Sequence, residues 1–300
     1  MLLAFEDERA LAEALAEDLG LALAFIREHR FPDGELKLTL PPTLPSRVVM
    51  LRGLHRPNEK LVALLLAAGT ARRLGATDLT LVSPYLAYMR QDIEFNPGEA
   101  ISQGIVAGFL ANLFDAVVTI DPHLHRIASL DEVMPRCRGI ALTAAPLLGT
   151  WIAGRFEAGR RPLIVGPDEE AGQWVSAAAA ASGLDGVVCT KTRRGDRDVV
   201  VEVPPVPLEG RAVVLLDDVA STGQTLVEAA LALRARGVAS IDAVVTHALF
   251  VGDAAQRLAG AGIGRIWSTD AVPHPTNAIS VAPLIAGAIT QRSATGAPDA

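Results

Sequence analysis

The feature that most limits what this chain can fold into is a repeated alternation of short buried-type strands with helical stretches. Val48–Leu51, Leu79–Val82, Ala116–Ile120, Pro162–Val165, Val187–Thr190, Val213–Leu216 and Ile241–Thr246 read as strands covered on both faces. Between many of them lie segments with a helical repeat, such as Asn58–Leu74, Ile101–Leu113 and Thr225–Arg236. That alternation predicts an α/β fold with mainly parallel sheets. Two pieces differ, Glu35–Leu40 and Val199–Val203, whose polar alternation suits hairpin or flap strands.

The 300 residues suit one large or two medium domains. EKLVALLLAAGTARRLGATDLTLVSPYL and QTLVEAALALRARGVASIDAVVTHALF share one plan of helix, Arg-rich last turn, Gly and strand, with the first helix about one turn longer. This echo predicts two related halves, 1–143 and 144–300, that meet around ALTAAP. The opening MLLAFEDERALAEALAEDLG reads as an amphipathic helix ending at Gly20, with acids where a secretion signal carries a basic flank. No apolar run approaches the ~18 to 20 residues that span a bilayer. Cys137 and Cys189 are far apart and lack metal-ligand spacing, so reduced thiols in a cytoplasmic protein are expected. A net charge of −7 argues against general nucleic-acid binding and leaves small anionic ligands open. The basic residues are skewed to arginine, with Lys37, Lys60 and Lys191 the only lysines.

Ligands of open α/β sheets bind beyond the carboxyl ends of the strands, and the polar clusters of this chain fall there. In VVLLDDVASTGQTL, Val213–Leu226, an apolar strand runs into Asp217 and Asp218 and then a polar turn before a helix. Adjacent carboxylates at a strand end repel each other and are costly to dry. They can accept hydrogen bonds from vicinal hydroxyls, or from water around a divalent cation. Ser221, Thr222, Gly223, Gln224 and Thr225 wrap a helix N-terminus, where free N–H groups and the dipole favour a phosphate. Together they describe a pentose 5-phosphate site; the plain alternative is a helix start with surplus acid. Neither GxxxxGK[ST] nor GxGxxG occurs.

Four further stretches have both plain and functional readings. FPDGE, Phe31 to Glu35, is a turn by composition, and an exposed Phe31 beside Asp33 and Glu35 also suits a nucleobase. SPYLAYMRQD, Ser83 to Asp92, offers Arg90 and Gln91, or simply a loop arginine paired with Asp92. DPHLHR, Asp121 to Arg126, places His123 at a strand end, where a capping role competes with a metal role. KTRRGDRDV, Lys191 to Val199, is a basic hairpin or a cationic flap. Asp168, in GPDEEAGQW, follows another strand.

The Asp217 to Thr225 run resembles the phosphoribosyl diphosphate (PRPP) motif of the type I phosphoribosyltransferase fold. With the other stretches, the chain from about Phe31 to Ile289 is similar to the ribose-phosphate pyrophosphokinase family. The resemblance implies two tandem type I phosphoribosyltransferase-like domains, ATP on the first and ribose 5-phosphate on the second. It implies transfer of the diphosphoryl group of ATP to the C1 hydroxyl of the sugar phosphate. Lys191 and Arg193 would be the catalytic cations of a flap. Phe31, Asp33, Glu35, Arg90 and Gln91 would meet ATP; His123 and Asp168 would hold Mg²⁺. Asp217, Asp218 and the Ser221, Thr222, Gly223, Gln224, Thr225 loop would hold ribose 5-phosphate. A homodimer or higher homo-oligomer is implied, with ATP sites completed by a neighbour. The sequence departs from the family pattern at Pro122, His125, Arg126, Ser221 and Gln224, and lacks a tandem Gly after Asp168. Two rivals stand beside this reading: a PRPP-consuming phosphoribosyltransferase and a non-catalytic regulatory paralogue of the synthetase.

Overall fold

The computed structural model describes residues 1–124, 126–156, 161–193 and 199–295, with the backbone alone for 192, 193, 199, 200 and 295. The chain forms two compact units, Met1–Leu142 joined by the segment from Ser280, and Thr143–Ile279.

In the first unit the strands are β1 (Leu2–Phe5), β2 (Leu23–Arg30), β3 (Leu36–Thr39), β4 (Arg47–Leu51), β5 (Asp78–Val82), β6 (Ala116–Ile120) and β7 (Arg138–Leu142). They form one sheet in the order β3-β2-β1-β4-β5-β6-β7. All neighbours are parallel except β2 and β3, which form an antiparallel hairpin. Helices α1 (Arg9–Leu19), α2 (Pro57–Arg73) and α3 (Ser102–Leu113) connect them. The buried residues of α2, Ala63, Leu64, Ala67, Ala68 and Ala71, recur at the helical period and are mostly small.

The N-terminal reading needs correction. Leu2–Phe5 is not the start of a helix but a fully buried strand between β2 and β4. The helix begins at Arg9 and ends as expected at Gly20, whose φ of +62° closes the last turn. A four-residue apolar run fits either element by pattern, and sheet pairing on both sides decides it. β2 was also not anticipated: Leu23–Ile26 pair in parallel with β1, while Arg27–Arg30 pair with β3.

The second unit contains α4 (Ala145–Ala153), β8 (Leu163–Gly166), α5 (Gly172–Ser182), β9 (Gly186–Val188), β10 (Thr190–Arg193), β11 (Val199–Glu202), β12 (Ala212–Ala220), α6 (Gln224–Ala235), β13 (Ser240–Ala248), α7 (Ala254–Gly260), β14 (Ile263–Thr269) and β15 (Asn277–Ile279). Its six-stranded parallel sheet runs β15-β14-β13-β12-β8-β9, and β10-β11 stand apart as an antiparallel pair. The run Val187–Thr190 is therefore two strands broken at the buried Cys189. The internal echo corresponds to α2–β5 and α6–β13; in each unit the helix joins two neighbouring parallel strands, β4 to β5 and β12 to β13.

The final helix α8 (Ala282–Thr295) lies in the first unit, whereas the sequence pattern groups it with the second half. Ile285 and Ile289 are buried, and the Arg292 guanidinium donates to both carboxylate oxygens of Asp78 at 2.6 and 3.1 Å. A bidentate pair to the first residue of β5 fixes the helix register as well as its partner.

Close packing of α4 on α5 depends on Gly149. A Cβ there would stand 2.1 Å from the Ala178 carbonyl oxygen and 2.7 Å from its Cα. Backbone cannot yield as a side chain does, so Gly149→Ala should lower stability by about 2–3 kcal/mol in denaturant unfolding. An unchanged midpoint would show that the helices stand further apart than this.

Candidate active site in the second unit

Four elements of the second unit bring their polar residues together. β12 lies between β8 and β13, and pairing with β13 extends through Ala220, so Asp217 and Asp218 belong to the strand rather than follow it. Just past the end of β8, Asp168 caps the turn Glu169–Ala171 and accepts from the Glu170 amide at 3.1 Å. Lys191 comes from β10, paired with Val201 of β11. Thr225 sits in the first turn of α6.

The Lys191 ammonium donates to Asp168 Oδ2 at 2.7 Å and to Thr225 Oγ1 at 3.3 Å. It thus bridges the end of one strand and the first turn of a helix. Loss of water, then the charge of Asp218, then that of Asp168, holds the Asp217 carboxyl well above the usual carboxylate range. The Asp218 amide donates back to Asp217 Oδ1 at 3.0 Å. This is a crevice with surplus negative charge and one lysine inside it. A cation or hydroxyl donors placed there would relieve the repulsion.

The turn between β12 and α6 depends on its glycine. Gly223 has φ +73°, and a Cβ there would also press on the Leu258 side chain of α7 at 3.3–3.4 Å. Thr222 Oγ1 accepts from the Gln224 amide at 3.4 Å. The Gln224 side chain turns away from the cradle: it accepts from Arg257 of α7 and donates to Glu228 Oε1 at 2.6 Å. Gln224 therefore braces the loop through its side chain, while its backbone N–H donates to Thr222 Oγ1. Arg193 ends β10, but its side chain lies outside the described residues, as do Arg194, Gly195, Asp196, Arg197 and Asp198.

The remaining candidates lie in the first unit. Phe31, Asp33 and Glu35 share the exposed tip of the β2–β3 hairpin. The tip is closed by Phe31 N to Glu35 O and Gly34 N to Phe31 O, both 2.9 Å, and by the Glu35 amide to Asp33 Oδ1 at 3.1 Å. Phe31 stays 39% exposed, edge-on to the His29 ring at 4.8 Å. The loop after β5 carries Arg90 outward. The plain alternative, a loop arginine paired with Asp92, is not what forms: Asp92 accepts from Arg126 at 2.7 Å instead. Gln91 Nε2 donates within its own loop, to Ile93 O at 3.1 Å and Glu99 Oε2 at 3.2 Å. His123 is half-buried past the end of β6, two residues after Asp121, whose φ is +39°. His125 lies outside the described residues.

A polar cluster at the carboxyl ends of β1 and β4 was not anticipated. Arg52 donates to Asp7, and Lys60 Nζ donates to Gly53 O at 2.9 Å. Burial pushes the Glu8 carboxyl up to about 7 against the pull of Lys60 and Arg52. Lys60 was a usable signal, as a lysine in an arginine-rich chain inside an otherwise apolar helix stripe. Among the described residues, no group of three or more His, Cys, Asp or Glu side chains stands ready to hold a metal ion. No helix among them is long and apolar enough to cross a membrane.

Comparison with known proteins covers nearly the whole chain. Residues 1–113 match the N-terminal domain of ribose phosphate pyrophosphokinase, and residues 184–291 match the phosphoribosyl synthetase-associated domain. The ribose-phosphate pyrophosphokinase of Methanopyrus kandleri is 38% identical over 98% of this chain and 99% of its own. That of Granulibacter bethesdensis is 32% identical over 97% of this chain and 96% of its own. The crystal structure of phosphoribosylpyrophosphate synthetase from Mycobacterium smegmatis superposes with a TM-score of 0.84 at 25% identity, covering 99% of both chains.

Proposed function

This chain belongs to the ribose-phosphate pyrophosphokinase family, and on that premise we propose that the Asp217–Asp218–Lys191 crevice of its second unit is where ribose 5-phosphate receives the diphosphoryl group. The activity is ribose-phosphate diphosphokinase: the C1 hydroxyl oxygen of the sugar bonds to the β-phosphorus of ATP, the bond from β-phosphorus to the α,β-bridging oxygen breaks, and PRPP, AMP and the proton of the hydroxyl result. The observation that carries the assignment of the site is the reach of Lys191 to Asp168 and Thr225. A basic hairpin pointing away from the acid pair would have left the crevice without a cation.

Each residue then has a task. Asp217 and Asp218 accept from the sugar hydroxyls. The N–H groups of the Ser221–Thr225 turn, with the hydroxyls of Ser221, Thr222 and Thr225, receive the 5-phosphate. Lys191, with Arg193 on the same strand, neutralises charge that builds on the transferring group and the departing oxygen. On the first unit, Arg90 meets ATP phosphates, and the exposed Phe31, Asp33 and Glu35 offer a stacking face and acceptors to the adenosine. An exposed hairpin tip fits a contact made to a neighbouring copy's ATP, so a homodimer is the smallest assembly in this reading.

A metal ion fits the donors present. Oxygen-rich, mutually repelling carboxylates suit a hard divalent cation, and Mg²⁺ takes one or two carboxylates and completes its shell with phosphate oxygens and water. That matches a chain with no ready three-ligand cage among its described residues. Asp168 in the second unit and His123 in the first are each candidate Mg²⁺ ligands, and a bound Mg²⁺ would offset phosphate charge. Cys137 and Cys189 are free and buried, and burial raises both thiols, to about 12 and about 11, so they stay protonated at neutral pH.

The deciding assay supplies ATP, Mg²⁺ and ribose 5-phosphate without a nucleobase. AMP and PRPP should appear in equal amounts. No product without a base would favour a phosphoribosyltransferase, and ATP binding with no turnover under any Mg²⁺ or phosphate condition would favour a non-catalytic paralogue.

A further inference from the structure

In the loop between β5 and α3, the bonds that hold residues 88–92 leave one side chain out. Ser102 Oγ donates to Tyr88 O at 3.4 Å, Gln103 Nε2 to Met89 O at 3.2 Å, and the Gln103 amide to Gln91 O at 3.2 Å. Gln91 and Asp92 are tied by their own side chains, to Glu99 and Arg126. Arg90 is exposed and makes no hydrogen bond or ion pair among the described residues. The tethers bracket it on both sides.

Two of those tethers come from Gln103, which is 3% exposed. A buried amide is retained at a cost unless its donors are used, and here the side-chain donor serves the loop rather than its own helix. The loop needs holding, because Tyr88 has φ +66°, a strained backbone for an aromatic residue. Its hydroxyl is bonded to Asn58 at the start of α2. Strain two residues before an outward arginine persists only where the surroundings over-determine it.

We propose that Gln103 is a positioning residue for the donor nucleotide: by fixing the carbonyls of Met89 and Gln91, it sets where the Arg90 guanidinium meets the phosphates of ATP. This rests on the reading of Arg90 given above. Misplacing a contact group by about 1 Å can cost up to ~10²-fold, and loss of one tether of several should cost less.

The test is steady-state kinetics on the full-length enzyme with ATP and ribose 5-phosphate varied separately. Gln103→Met fills the same space without a donor. It should raise KM for ATP about tenfold and leave KM for ribose 5-phosphate unchanged. Arg90→Ala should raise KM for ATP at least as much, and the double variant should be no worse than Arg90→Ala alone. A purely structural role would instead lower the active fraction or shift both KM values, and its effect would multiply that of Arg90→Ala; either result overturns the proposal. If Arg90→Ala leaves KM for ATP unchanged, the reading of Arg90 fails first and the proposal with it. Should Gln103→Met not fold, Gln103→Asn withdraws the same donor by one methylene, and the same pattern is required of it.

Discussion

Lys191→Ala will slow AMP release by about 10³-fold or more at saturating substrate, by analogy with the loss of an arginine finger. The expectation follows from where the ammonium sits. With Lys191 gone, Asp168 loses the ammonium bonded to it, and Arg193 alone is left of the two cations assigned to the transferring group. Fold and stability should hardly move, because the lysine side chain is 30% exposed and such pairs contribute at most about 1 kcal/mol once screened by solvent. A thermal midpoint near that of the parent, with turnover collapsed, is therefore the expected pair of results. Lys191→Arg should recover only part of the rate, since a planar fork does not replace a compact point charge. Near-normal turnover in a folded Lys191→Ala enzyme would remove Lys191 from the mechanism.

Asp217→Asn should weaken function and strengthen the fold. Hydrogen bonds to a charged acceptor are worth about 1.5–3 kcal/mol, so kcat/KM for ribose 5-phosphate should fall about 10- to 150-fold. Stability moves the other way. The folded state holds the Asp217 proton at pH values where the unfolded chain has released it, because burial and the charges of Asp218 and Asp168 raise the carboxyl. The stability this proton linkage contributes is complete below about pH 4, where an unfolded aspartate protonates, and is lost as pH rises through the elevated folded value. Asparagine has no proton to lose. In metal-free protein, Asp217→Asn should therefore unfold at a higher temperature than the parent at neutral pH, with the gap closing as pH falls. A variant less stable than the parent at neutral pH, or one with unchanged kcat/KM for ribose 5-phosphate, would mean that Asp217 is not the strained acceptor described.

Such opposition between stability and use is expected where a crevice is built for a charged ligand it does not yet hold. The same pattern is visible in the backbone: Arg56, Tyr88 and Asp121, the non-glycine residues with positive φ among those described, all follow parallel strands of the first unit's sheet. Their strain is tolerated because neighbouring strands and helices fix the loop ends.

Much of this was legible from residue order. Ala116–Ile120 coincides with β6, and Asn58–Leu74 is displaced from α2 by one residue at each end. These elements are apolar in one continuous block or along one helical stripe, so the local pattern and the final burial agree. Asp217, Asp218 and the turn through Thr225 were legible for a similar reason, since strand end, loop and helix start are contiguous in the chain. The strand at Leu2–Phe5 was not legible, because four apolar residues ahead of an amphipathic helix satisfy both periods. Nor was the break at Cys189, where the chain leaves the main sheet for the β10–β11 hairpin.

What residue order determined by itself was the α/β class, the polar clusters at strand ends and the family to which they point. Tertiary structure alone decided the pairings. Lys191 finds Asp168 23 residues earlier and Thr225 34 residues later, Asp92 takes Arg126 rather than Arg90, and Arg292 anchors α8 to an aspartate 214 residues before it. The physical reason is range. Periodicity and turn chemistry act over a few residues, whereas a parallel sheet sets distant strand ends side by side, and which charges then meet depends on strand order and register.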